Sequence, residues 1–140
     1  LMVRQLLFGL LDITLHCAAD EVDTLATMRS VMSQTALLPC CDFDRFAWSF
    51  GHIFAGGYAA GYYSYLWAQV LSADAFAAFE DAGLFDRHTG RQFMQCILEA
   101  GGSDTAMNLF KAFRGREPCP NALLRHNGIG AQPARTAPAG

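Results

Sequence analysis

Charge is scarce in this sequence. Of 140 residues only 16% are Asp, Glu, Lys or Arg while 52% are hydrophobic, whereas an average soluble domain is roughly 25% charged. Positive charge is in the minority, with 10 Lys and Arg against 13 Asp and Glu and a formal net charge of −3. The nearest thing to a basic run, Lys111, Arg114 and Arg116, is scattered. A nucleic-acid partner, which needs cations along a tract of phosphates, is therefore excluded. The five cysteines are an odd number, include the neighbours Cys40 and Cys41, and form no Cys-x-x-Cys pair. That excludes a disulfide framework and a zinc knuckle, and points to a reduced, cytoplasmic compartment. No His-Glu-x-x-His occurs, and His16, His52, His88 and His126 stand far apart, so the chain alone offers no zinc site. Ser64 sits in no nucleophile elbow. The opening Leu1-Met2-Val3-Arg4 lacks a small-residue cleavage site downstream and reads as mid-domain, not as a signal peptide.

Aromatic residues, by contrast, are plentiful. Eleven Phe, four Tyr and two Trp supply enough core to exclude disorder. Between Phe46 and Ala73 no charged residue occurs, a length that would suit a membrane span. His52, Gln69, the serines and the tyrosine hydroxyls in it would all need partners in hydrocarbon. The stretch therefore reads as a segment buried in protein, with no membrane partner.

Helical periodicity dominates and no segment alternates with period two, so the fold class is all-α. Val3, Leu6, Leu7, Leu10 and Leu11 predict a first helix ending near 16–19. Asp20 is placed to cap a second helix carrying Val22, Leu25, Met28, Val31 and Met32. Periodicity fails over 34–45, a loop that leads into the aromatic cluster Phe43, Phe46, Trp48, Phe50 and Phe54. A long helix is expected from Ala55 or Tyr58 to Asp81, closed by Gly83. Thr89 to Gln92 fits a capping box for a helix ending at Gly101-Gly102, and Ser103 is placed to cap another that carries Met107, Phe110 and Phe113. A short helix over 121–126 follows. Residues 1–129 form one helical portion, and 130–140 read as a disordered Pro/Ala-rich tail.

The chemistry concentrates between His52 and Trp67. All the tyrosines lie between Tyr58 and Tyr65. On a continuous helix at about 100° per residue, Tyr58, Tyr62 and Tyr65 would share one face and Tyr63 would point elsewhere. Gly56 and Gly57 supply backbone that can move and can approach a bound chain closely. His52 stands just before them. This pattern describes one wall of a cleft: a hinge loop, a row of hydroxyls and an imidazole.

The segment Phe50-Gly-His-Ile-Phe-Ala-Gly-Gly-Tyr-Ala-Ala-Gly-Tyr-Tyr-Ser-Tyr-Leu-Trp67 closely resembles the C-terminal region of the zinc oligopeptidase family of thimet oligopeptidase, neurolysin and bacterial oligopeptidase A. The likeness extends from Met2-Val3-Arg4-Gln5-Leu6 through Leu71 to Phe76, Gly101 to Asp104 and Phe110 to Pro118, and ends with His126 to Ile129. The resemblance implies a mostly helical metallopeptidase with a deep channel that admits short peptides. Its zinc ligands would lie in the missing N-terminal portion of the same enzyme, so the intact enzyme would hold zinc and this chain alone would hold none and be inactive. Carried over by position, the resemblance makes His52, Gly56, Gly57, Tyr58 and Tyr62 substrate-binding residues. It makes Tyr65 the catalytic phenol that donates to the oxyanion of the tetrahedral intermediate. The other reading of the same residues is a non-catalytic helical module whose phenol-lined groove binds peptides or a partner.

Overall fold

The computed structural model of the chain describes residues 2–35 and 41–130. The tail at 131–140, and the part of the predicted loop at 36–40 that includes Cys40, lie outside the described residues. Every regular element among those residues is helical, which agrees with the expected all-α class. The chain divides into two compact units, Leu1–Trp67 and Ala68–Gly140.

The first unit is built on α1 (Met2–His16) packed against α2 (Thr24–Thr35). Leu7 and Leu11 of α1 are buried, whereas Val3, Leu6 and Leu10 of the same apolar run stay exposed. α2 begins later than its sequence suggested. The carboxylate of Asp23, not Asp20, accepts the N–H groups of Leu25 and Ala26 at 2.9 and 3.0 Å, because it stands immediately before the turn whose amides lack partners.

Two single-turn helices, α3 (Phe46–Ser49) and α4 (Gly51–Phe54), carry the aromatic cluster. Phe8 of α1 meets Phe46 and Phe50 with ring centroids 4.9 Å apart in both pairs. Such pairs contribute about 0.5–1.5 kcal/mol each beyond simple burial, which helps hold helices too short to persist alone. Leu11, Met28, Ala47, Ile53 and Tyr62 complete this core. Phe43, Trp48 and Phe54 face outward.

α5 spans Ser64–Ala82 and corrects the expectation that a helix starts at Ala55 or Tyr58. Tyr58 and Tyr62 precede it in a folded loop. Glycine costs about 1 kcal/mol per helical position, and Gly56, Gly57 and Gly61 fall together here. The carboxylate of Asp12 also takes the N–H groups of Ala60 and Tyr62 at 2.9 and 2.8 Å, groups that a longer helix would have paired internally. Gly83 closes α5 with φ of 111°. The uncharged stretch from Phe46 to Ala73 is thus shared among α3, α4, the loop and the start of α5. No helix among the described residues is long and apolar enough to cross a membrane.

The second unit contains most of α5, then α6 (Arg87–Phe93), a π-helical segment (Met94–Leu98), α7 (Ala106–Arg114) and α8 (Asn121–His126). Two predicted caps shift by a few residues. Asp86 caps α6, accepting the Thr89 N–H at 2.7 Å, and Thr105, not Ser103, caps α7 through the Asn108 N–H at 3.3 Å. Gly115 ends α7 in the left-handed conformation, φ 70°. Phe79, Phe93 and Phe113 meet at centroid distances of 5.4 to 6.3 Å.

In the same unit Asp74 is only 1% exposed. The Arg116 guanidinium grips it from two nitrogens at 2.7 and 2.5 Å, the Cys119 N–H donates to it at 2.8 Å, and Arg114 lies 3.3 Å away. Burial alone would raise the Asp74 carboxyl. The hydrogen bonds from Arg116 and Cys119 and the charges of Arg116 and Arg114 outweigh it and hold the carboxyl below its ordinary value.

Candidate functional site: a tyrosine loop around His52

All the residues singled out for chemistry lie in the first unit. α4 ends when the N–H groups of Ala55 and Gly56 both turn onto the Gly51 carbonyl, at 2.8 and 2.7 Å. A Cβ on Gly56 would stand 3.0 Å from the Cα and carbonyl oxygen of His52, so a side chain there would force the backbone apart. Gly57 follows with φ of 78°, a conformation open to glycine at little cost. The chain then doubles back, and the Tyr58 N–H donates to the His52 carbonyl at 3.1 Å. The glycine pair is thus what carries Tyr58 over the helix that bears His52.

The rings converge on one point by a different route from a shared helix face. Tyr65 sits on the first turn of α5, and its ring centroid is 5.1 Å from that of Tyr58 and 5.0 Å from that of Tyr62. The His52 ring lies 6.1 Å from Tyr58, 5.9 Å from Tyr62 and 6.5 Å from Tyr65. His52 and Tyr58 are exposed, Tyr65 is half-buried, and Tyr62 is buried in the core. Tyr63, predicted to point away, is exposed and makes no ring contact with this group. The Tyr58 side chain beside it pushes the Tyr65 phenol above its ordinary value near 10, and partial desolvation and the phenol of Tyr62 add to the shift. Tyr65 therefore remains a proton donor throughout the neutral range.

Asp12 is the residue that the sequence reading passed over. It is the sole acidic residue of α1 and its exposure is 0%. Its Oδ1 accepts from Ala60 and its Oδ2 from Tyr62, while the Nδ1 of His16 lies 2.8 Å from Oδ1 and 2.9 Å from the Asp12 carbonyl oxygen. A buried carboxylate is tolerated only when such partners replace water. What could have drawn attention to it is an ionisable side chain set between Phe8, Leu11 and Leu15 on an otherwise apolar helix face.

Among the described residues no group of three or more His, Cys, Asp or Glu is placed to hold a metal ion. The site offers hydroxyls, an imidazole and loop backbone, which suit hydrogen bonding to a polar chain more than coordination.

The sequence of the chain places it in a known class of protein. Its sequence matches Peptidase family M3 over residues 1–129, and the chain belongs to that family. It is similar to oligopeptidase A of Haemophilus influenzae, 56% identical over 131 residues that cover 91% of this chain and 19% of that protein. Oligopeptidase A of Escherichia coli is 52% identical over 134 residues, with the same coverage of 91% and 19%. The probable cytosolic oligopeptidase A of Arabidopsis thaliana is 51% identical over 136 residues, covering 92% of this chain and 19% of that protein. The chain thus spans about a fifth of the length of these relatives.

Proposed function

We propose that this chain is the C-terminal part of a cytoplasmic zinc metallo-oligopeptidase that hydrolyses short peptides, and that it supplies the substrate loop and a transition-state donor. The observation that carries this reading is the convergence of His52, Tyr58 and Tyr65 at the glycine loop. In this reading zinc and its ligands lie outside the chain.

Each residue has a defined task. The exposed backbone at Gly57 and Ala59 faces an extended peptide, and His52 and Tyr58 orient it through hydrogen bonds. Tyr62, only 8% exposed, supports the rings of Tyr58 and Tyr65 from behind and touches substrate at most at its edge. The Tyr65 O–H donates a hydrogen bond to the scissile carbonyl oxygen as negative charge develops there. The ring of Tyr58 lies 5.1 Å from that of Tyr65, so the donor is packed in place before a substrate oxygen reaches it. Preorganised donors of this kind stabilise the transition state without reorganising when the charge appears.

The test is hydrolysis of a quenched fluorescent peptide by the full-length protein, with and without a chelator. Cleavage of short peptides, abolished by the chelator, is expected. Tight peptide binding without cleavage in zinc-loaded full-length protein would favour the non-catalytic binding module instead.

A further inference from the structure

We propose that Asp12 is the positioning residue of the tyrosine loop, holding Tyr58 and Tyr62 in register with Tyr65 although it reaches no substrate itself. The proposal rests on the reading of this loop as the substrate loop. Three features carry it. Asp12 is fully buried, and its two carboxylate oxygens accept loop amides two residues apart, Ala60 at 2.9 Å and Tyr62 at 2.8 Å, with the Nδ1 of His16 on its own helix also 2.8 Å from Oδ1. Ala60 is the one non-glycine residue with positive φ among the described residues, at 52°, a strained choice for an L side chain. The strained residue is thus one whose N–H the carboxylate holds, and a carboxylate bond to a backbone N–H is of the stronger, charge-assisted kind. Finally, the next clamped amide belongs to Tyr62, whose ring touches both Tyr65 and His52. A shift of the carboxylate would therefore move the phenols together and leave the Tyr65 backbone on α5.

Asp12→Asn tests this sharply, because the amide keeps the volume but turns an N–H₂ group toward one of the two backbone donors. In the full-length protein the substitution is expected to raise KM for a short peptide by roughly tenfold, as loss of a charge-assisted hydrogen bond does, with kcat changed by less than about threefold. Adding Ala60→Gly, which makes positive φ inexpensive, should recover at least half of the lost affinity on a logarithmic scale. A merely structural role would lower thermal stability without the KM split and without rescue. Tyr58→Phe in parallel tests the loop reading itself. If Tyr58→Phe raises KM and Asp12→Asn does not, the positioning role is overturned while the loop reading stands; if neither does, both are overturned. Should Asp12→Asn fail to fold, hydrogen exchange on the unmodified protein decides. Slower exchange at Ala60 and Tyr62 than at Ala59 and Tyr63 supports the clamp, and equal exchange overturns it.

Discussion

The rings of Tyr58 and Tyr65 lie 5.1 Å apart, centroid to centroid, at an interplanar angle of 32°, and the Tyr58 side chain, with smaller effects of desolvation and of Tyr62, raises the Tyr65 phenol above its ordinary value. One of the two is helical and the other is not. Their meeting depends on the glycine turn that brings Tyr58 back over His52, and that turn defines what substitution in the loop should do.

Gly57 has open space around its Cα but a φ of 78°. Alanine would meet no clash there, so its effect is purely conformational, a cost of about 1–2 kcal/mol for holding an L residue in the left-handed region. Gly57→Ala is expected to raise KM for short peptides by roughly tenfold, with a smaller change in kcat. Steady-state kinetics on the full-length variant checks this, and unchanged KM would remove the loop from substrate binding.

Asp74 makes the second unit sensitive to acid. Its folded carboxyl is held below the ordinary value near 3.8, so the ion pair's contribution is fully present above about pH 4 and is lost as pH falls through the lower folded value. Asp74→Asn should destabilise the protein at pH 7 by about 3 kcal/mol, the lower end for a broken buried pair, because the Arg116 side chain is 45% exposed. Denaturant titrations at pH 7 and pH 3 are the check: the variant's deficit should shrink at the lower pH. A deficit that is constant with pH would mean the carboxylate charge is not what stabilises this unit.

How far the sequence carried this reading differs from element to element. The first helix and the helix over 121–126 were legible because apolar spacing and end residues agree. Caps were misplaced by up to a few residues at Asp23, Asp86 and Thr105 because several short polar side chains stand in a row, and only geometry decides which one reaches the open amides. The start of α5 was hidden for a deeper reason. Periodicity treats Tyr58, Tyr62 and Tyr65 as one helical face, yet a carboxylate some fifty residues earlier in the chain takes the amides that such a helix would use. The rings of His52, Tyr58, Tyr62 and Tyr65 come together through the loop and not through a shared helix face.

The scarcity of charge has a visible counterpart on the surface. Leu6 and Leu10 of α1, Trp48, Phe54, Trp67, Phe85 and Leu98 are all exposed. Apolar surface of this extent on an isolated chain favours association. At concentrations of about 10–100 μM, where weak hydrophobic contacts become populated, sedimentation of the 140-residue chain should show oligomers. A clean monomer would count against the view that these faces pack against further parts of a larger enzyme.

The most direct measurement is peptide hydrolysis by the full-length protein carrying Tyr65→Phe. Removing one preorganised donor to a developing oxyanion costs on the order of 10²–10³ in turnover, so kcat is expected to fall by about that factor, with KM within about threefold of the parent. Because the phenol is pushed above its ordinary value near 10, no loss of parent activity below about pH 10 should trace to its ionisation. An unchanged kcat in the variant would contradict the account and leave Tyr65 with no part in the chemistry.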